Sequence, residues 1–327
     1  MSQQENIRSN FITQYFDMNL SIIIPNYNGQ DLLKKNLPEV FETVSAYKDG
    51  NKEIIVLDDA STDNSIKVLE GFKSKIKIIK NEKNLGFSST VNKGVREAKG
   101  EVIILLNTDV VPEKDFLFPL LSHFKDQEVF AVGCMDKSIE NGKTILRGRG
   151  VGIWQKGFLT HSRGEVNKTN TLWANGGSGA FRKSIWDKLK GFNSLYNPFY
   201  WEDIDLSYRA IKSGYRVLFE AKSVVVHEHE KGAIKKKFSP SQIKIIAYKN
   251  QFIFVWSNAT DLNLQLSHLF WLPFFFAKAF LRRDWLFFLG FSRAFIFLPK
   301  IIELSLKSKE LFVKKDAQIV GDFIENK

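Results

Sequence analysis

Cysteine is nearly missing from this chain: Cys134 is the single one among 327 residues. That excludes an internal disulfide framework and any zinc site built from several thiolates, and it fits a reducing compartment. The first twenty residues, MSQQENIRSNFITQYFDMNL, hold no apolar stretch of signal-peptide length. No repeat of fixed period is visible. The two most apolar runs, LNLQLSHLFWLPFFFA (262–277) and WLFFLGFS (285–292), are separated by Lys278, Arg282, Arg283 and Asp284. Neither reaches the ~20 apolar residues that a membrane-spanning helix needs. Phosphate-binding loops of the P-loop kind are lacking too. NGKT (141–144) imitates one, but Lys137 stands where its first glycine belongs.

Acid is in deficit. There are 36 Asp and Glu against 47 Lys and Arg, for a formal net charge of +11, which calls for an anionic partner. Between Lys231 and Lys249 stand six lysines and no acid, directly before the stretch crowded with Phe, Trp and Leu. Basic residues beside aromatic-rich apolar surface point to an anionic membrane rather than to nucleic acid. The expectation is therefore a peripheral protein on the cytoplasmic face of a membrane, held by interfacial or re-entrant helices. A 44% hydrophobic and 25% charged composition describes a folded protein, large enough for one full-sized core or two modest ones.

What is present in the first half is alternation. Apolar runs at Leu20–Ile24, Glu53–Leu57, Ile76–Ile79, Val102–Leu106 and Val129–Val132 read as strands, and each of the first four leads through a polar loop to a helix-length segment. The expected fold is α/β, a mainly parallel doubly wound sheet, whose ligand edge lies beyond the carboxyl ends of the strands. The loops there are PNYNG (25–29), DDASTDN (58–64), NEKNLGFSS (81–89) and NTDVVP (107–112). Asp58 and Asp59 stand side by side at one strand end, where their repulsion asks for a ligand, a metal or a helix amino terminus. Asp63 or Asn64 is the better helix cap, and Asp58 suits the turn's backbone donors. From Asp136 to Asn170 the pattern loosens into Gly-rich sequence. Order resumes with WANGGSGAF (173–181), a short helix around Ser184–Leu189, a helix over Glu202–Lys212 stopped by Gly214, and strands at Tyr215–Phe219 and Ser223–His227. Three segments follow: an N-terminal extension (1–18), an α/β domain (19–230) and a basic, aromatic, helical C-terminal region (231–327).

Taken in order, PNYN, LDDASTDNS, NLGFSSTVNKG, NTD, GFNSLYNPFYWEDIDLSYR and VVVHEH resemble the family 2 glycosyltransferases, inverting nucleotide-sugar enzymes with the GT-A fold, over about Asn19 to Glu230. A rhamnosyltransferase-like subgroup is within that resemblance. It implies transfer of a sugar from a nucleoside diphosphate sugar to a hydroxyl of a glycan or lipid-linked glycan, in cell-surface polysaccharide biosynthesis. It also implies nucleotide-sugar contacts from Pro25, Tyr27, Asn28, Asp59, Asn84, Gly86, Asn107, Thr108, Gly176 and Gly177. Asp109 and His227 would hold a divalent metal, Mn2+ or Mg2+, with His229 as a further candidate. Asn107 stands where many relatives have aspartate and offers only a neutral carbonyl oxygen.

The residue types suit this chemistry. A carboxylate accepts from ring N–H and ribose hydroxyl donors, and a cation offsets charge building on a leaving diphosphate. Asp203 is read as the base that takes the acceptor's proton, and Glu202 as the group that orients acceptor hydroxyls or the base. Their position at a helix start predicts lowered pKa values. Two other readings compete: a sugar nucleotidyltransferase, disfavoured because IIIPNYNG has no basic residue, and a degenerate transferase-like membrane scaffold, disfavoured by Asp59, Asp109, Asp203 and His227 occurring together.

Overall fold

The computed structural model describes residues 18–140, 142–227 and 237–323. The N-terminal extension up to residue 17, His229 and the first lysines of the basic run lie outside these residues. Four parallel strands form half of the main sheet: β1 (Leu20–Asn26), β2 (Lys52–Asp58), β3 (Lys77–Lys80) and β4 (Val102–Leu105). All are short and rich in Ile; β1, β2 and β4 are buried, as central strands between helices must be, whereas β3 forms the edge of the sheet and is partly exposed. Along β1, Ile22 and Ile24 enter one core and Ile23 the other.

The second half is mixed. β5 (Val110–Pro112), β6 (Val129–Glu140), β7 (Lys143–Arg147), β10 (Ala180–Arg182) and β11 (Arg216–His227) complete the order β3-β2-β1-β4-β10-β6-β11-β5, with β7 paired on β6. β11 runs parallel to β6, whereas β10, β5 and β7 are antiparallel to their neighbours. The α/β expectation holds, with antiparallel strands added where the sequence loosened. The two strands expected at 215–219 and 223–227 are one strand, bulged between Glu220 and Val224. The stretch from Asp136 to Asn170 is ordered as well: it continues β6, forms β7, and builds a hairpin of β8 (Gly150–Gln155) and β9 (Phe158–Arg163). Its glycines disguise it. At Gly150 a Cβ would lie 2.1 Å from the Trp173 ring, so packing selects a residue that reads as loop.

Helices α1 (Gln30–Ala46), α2 (Ser65–Glu70), α3 (Phe87–Glu97), α4 (Leu117–Ser122), α5 (Lys183–Lys188) and α6 (Glu202–Lys212) connect these strands. Leu33, Leu37 and Val40 of α1 close one core; Val91 and Val95 of α3 and Leu206 and Ala210 of α6 close the other.

The C-terminal region begins with α7 (Pro240–Asn258), started by a Ser239–Gln242 capping box. No break in the core coincides with the boundary at residue 230, because Phe252, Ile253 and Phe254 of α7 are buried in the same core as α6. Beyond it lie α8 (Leu262–Leu281), α9 (Trp285–Ile296), α10 (Leu298–Lys309) and α11 (Asp316–Gly321). α8 is longer than the sequence run implied. Over 20 residues it is long and apolar enough to cross a membrane, a property that buried helices of soluble proteins share, yet only 11% of its apolar window is buried. α9 and α10 pass the same test only as a pair, bent by 62°.

Candidate active site

The register Asn26↔Asp58↔Lys80 brings β1, β2 and β3 to one edge, so the loops that follow share it. The repulsion between Asp58 and Asp59 is relieved there by five N–H donors. Asp58 accepts from Asn26 Nδ2 at 2.8 Å and the Ser61 amide at 3.0 Å. Asp59 accepts from Asn81 Nδ2 and the Leu85 amide, both at 2.8 Å, and from the Gly86 amide at 3.0 Å. Asp58 thus takes the turn role expected of it. Asp59 is buried, and both of its oxygens shape the loop that carries Asn84, whose Nδ2 donates to the Asp59 carbonyl at 3.2 Å.

Asn28 is exposed and ties the first two loops together, its Oδ1 accepting from the Thr62 amide at 2.7 Å. Asp63, rather than Asn64, serves the start of α2 by accepting from the Ser65 amide at 2.9 Å. Pro25 and Tyr27 are half-buried, and the Lys237 ammonium lies 4.1 Å above the Tyr27 ring. An open depression of about 230 Å3 beside this loop is lined by Asn28, Gly29, Gln30, Asp31, Leu32 and Asp63. It includes none of Asp59, Asp109, Asp203 or His227.

After β4 the chain turns through Asn107, Thr108 and Asp109. The Asn107 amide donates to the Gly177 carbonyl at 2.8 Å, and a Cβ on Gly177 would lie 2.5 Å from Asn107 Nδ2. A larger residue there would push the Asn107 side-chain amide aside. The Thr108 carbonyl accepts from Asn36 Nδ2 at 2.8 Å. Asp109 Oδ2 lies 3.3 Å from Nε2 of His227, which ends β11, and His227 Nδ1 lies 3.1 Å from Asp136 Oδ2 on β6. Burial opposes a charged imidazole here, but the two carboxylates outweigh it and lift His227 to about 9.

Asp136 holds Nδ1 and leaves Nε2 facing Asp109, as carboxylates do behind metal-bound imidazoles. Among the described residues no three His, Cys, Asp or Glu side chains form a metal cage. One carboxylate and one imidazole fit a cation that takes its remaining ligands from phosphate oxygens and water. Loading it would displace the imidazole proton.

Glu202 and Asp203 open α6. Directly before them Tyr200 and Trp201 have φ of 71° and 77°, a left-handed conformation that bulky side chains avoid. Seven non-glycine residues have positive φ among the described residues, and four of them, Asn28, Ala60, Tyr200 and Trp201, fall in or beside the site loops. Asp203 Oδ2 accepts from the Gly176 amide at 3.2 Å, and Oδ1 from the Ile204 amide at 2.8 Å. Glu202 is buried, and its Oε2 has no hydrogen-bond partner. The expected lowering of their pKa values is overturned. Burial raises Asp203 against the pull of those amides; burial and then the Asp203 charge raise Glu202 well above the carboxylate range. Desolvation outweighs the helix dipole.

These loops pack against one another. An added Cβ at Gly29 would meet Asn26 Oδ1 at 2.4 Å and Thr108 Oγ1 at 3.4 Å, so the first loop abuts the third. Asn107 adjoins Gly177, Gly176 adjoins Asp203, and Gly176 and Gly86 respectively adjoin Phe87 and Asn197. Three contributors escaped the sequence reading. Asp136 reaches His227 only through the β6–β11 register. Asn175 Oδ1 accepts from the Gly177 amide at 2.7 Å. Asn197 binds Leu85, Ser88 and Ser89 across more than a hundred residues of chain. No local pattern signals the pairings of Asp136 and Asn197, whereas the bond of Asn175 to Gly177 is a local Asx turn.

Residues 21–189 match the model of glycosyl transferase family 2. A dolichol-phosphate mannosyltransferase of Pyrococcus furiosus is 32% identical over 129 residues, 38% of this chain and 35% of that protein. An O-antigen chain rhamnosyltransferase of Salmonella typhimurium is 25% identical over 217 residues, 65% of this chain and 67% of that protein. The chain thus spans between about a third and two thirds of the length of these curated relatives. Among solved structures, a mannosyltransferase from Pyrobaculum calidifontis in complex with GDP-Man and Mn2+ superposes with a TM-score of 0.54 at 15% identity, over 94% of this chain and 86% of that one. At that identity the likeness is one of fold.

Proposed function

The chain belongs to glycosyl transferase family 2, and from that premise we propose that it transfers a sugar, with inversion, from a nucleoside diphosphate sugar to a hydroxyl of a glycan or lipid-linked glycan. The observation that carries this reading is the continuity of Asp109 and His227 with Asn107, Gly177, Gly176 and Asp203 along one edge. The β1 and β2 loops receive the nucleotide, and the glycines at 176 and 177 let backbone approach the donor closely. Asp109 and His227 would hold a divalent cation, which when bound offsets the charge of the diphosphate. Asp203, made more basic by its burial, takes in its ionised form the proton of the attacking hydroxyl. Glu202, with one oxygen unpartnered, accepts from an acceptor hydroxyl or holds the base in place.

The kinship with the Salmonella O-antigen rhamnosyltransferase supports a role in cell-surface polysaccharide synthesis. The exposed apolar side chains of α8 to α10, among them Leu269, Phe270, Leu281 and Ile296, lie near exposed Lys278, Arg282 and Arg283 and favour peripheral attachment to an anionic cytoplasmic membrane surface. Tethering there would raise the effective concentration of a lipid-carried acceptor.

A thermal-shift panel of nucleotide sugars with and without Mn2+, followed by a transfer assay reading the anomeric configuration of the product, tests the proposal. A donor at a hundred times its Kd stabilises the fold by about 2.7 kcal/mol. Stabilisation by no nucleotide sugar, or a product that retains the donor's configuration, contradicts it.

A further inference from the structure

The loop that delivers Glu202 and Asp203 to the site leaves its carbonyls from Leu195 to Tyr200 to partners outside it. Between Leu195 and Tyr200 six consecutive carbonyls need partners. Pro198 O accepts from the Phe87 amide at 3.2 Å. The other five are taken by two adjacent side chains of α7. Lys249 Nζ donates to Leu195 O and Asn197 O, both at 2.8 Å. Asn250 Nδ2, whose two N–H bonds are shared among three carbonyls, lies 3.1 Å from Tyr196 O and 2.9 Å from Phe199 O and Tyr200 O. Both side chains are buried, Asn250 completely. The segment they grip ends in the left-handed pair Tyr200–Trp201, a conformation that persists only when its surroundings over-determine it.

We infer that Asn250 and Lys249 are positioning residues for the reaction: they hold the 195–201 loop in the one conformation that aims Asp203 into the cleft. The inference rests on Asp203 being the base proposed above. It makes the C-terminal region part of the catalytic apparatus, since five carbonyls of the acceptor loop are satisfied from α7. α7 in turn is packed tightly against α9: a Cβ on Gly290 would lie 2.4 Å from Tyr248 Cβ and 3.1 Å from the Lys249 amide nitrogen. The helices offered to the membrane and the loop that positions the base therefore grip the same two turns of α7 from opposite sides.

The test uses the full chain with Asn250→Asp, Asn250→Ala and Lys249→Met, and Ser257→Ala as a buried control on the same helix. Asn250→Asp keeps the shape of the side chain and removes its N–H donors. Hydrogen exchange is followed by mass spectrometry, and transfer is measured with the donor found in the panel. The three loop variants are expected to exchange about tenfold faster over 194–206 while β1, β2 and β4 keep their protection. Their kcat is expected to fall about 10²-fold, as a 1 Å misplacement of a reacting group does, with donor KM within about threefold. Ser257→Ala should match the wild type in both readouts.

Faster exchange throughout the sheet, unchanged kcat, or an Asn250→Asp variant that behaves as wild type overturns the inference, as does failure of all three variants to fold, which would make the pair structural only. If the wild-type chain transfers no sugar, the proposed function falls separately. The exchange pattern then decides whether the pair holds the loop.

Discussion

The strand-end edge and the C-terminal helices each keep groups in surroundings that do not suit them, in opposite senses. At the edge, a carboxylate oxygen of Glu202 is buried without a partner beside a second carboxylate. On α8 to α10, large apolar side chains such as Phe270 (76% exposed) and Leu281 (81% exposed) face water. An unpartnered buried polar atom is relieved by a polar ligand, and a broad apolar surface by an apolar partner. The two regions teach one lesson from different directions: where the chain departs from what folding alone would select, it describes what it binds. Between them lies a third arrangement that does neither. Lys212 and Asp316, fully buried and 2.6 Å apart, are satisfied entirely from within, with Tyr208, Asn258, Thr260 and Asp261 as further partners.

Substitutions can break this comparison at each of the three places. The largest expected effect is at the edge. Asp203→Asn should lower the transfer rate by about 10² to 10⁴-fold, the usual contribution of a general base, with nucleotide affinity by calorimetry unchanged within about threefold. A comparable loss of nucleotide affinity would make Asp203 a donor-binding group instead. In the internally satisfied pair, Asp316→Ala strands the Lys212 ammonium and should destabilise the fold by about 3–5 kcal/mol in chemical denaturation. An effect under about 1 kcal/mol would mean that water reaches Lys212.

Asp136→Asn keeps the shape behind His227 and should weaken Mn2+-dependent nucleotide binding by about 10 to 100-fold, without altering the affinity measured in chelator. Equal losses with and without Mn2+ would remove His227 from the cation site. The smallest effect concerns Glu202. Its carboxyl binds a proton more tightly in the folded chain than in the unfolded one. That stability is fully present below the ordinary value of 4.5 and is lost as pH rises through the folded value. Glu202→Gln should flatten the decline of stability across that window, sharpening the contrast between a site strained for function and a pair that is not. A decline as steep as in the wild type would assign the slope to another group.

Legibility in the sequence divides along the same lines. The strands β1 to β4 and helix α6 were readable because Ile- and Val-rich runs and an acidic first turn are local signals; α6 occupies Glu202–Lys212 as expected. The polar loops at the strand ends were readable because their chemistry is carried by consecutive residues. Asp136, Asn197, Lys249 and Asn250 were not, since each acts through a partner far along the chain and sits in sequence that also reads as strand, loop or helix. The hairpin β8–β9 was hidden by glycines that packing demands. The pKa direction at Glu202 and Asp203 was misjudged because a helix start is visible in sequence while the depth of burial is not.

The account rests on a single cation-linked site at the strand edge. Anomalous X-ray diffraction from crystals soaked with Mn2+ and UDP or GDP measures that most directly. The expected result is a manganese peak within coordinating distance of Asp109 and His227, with the diphosphate on it and Asp203 facing the same cleft. A nucleotide bound elsewhere, or a manganese peak coordinated by neither residue, would contradict it.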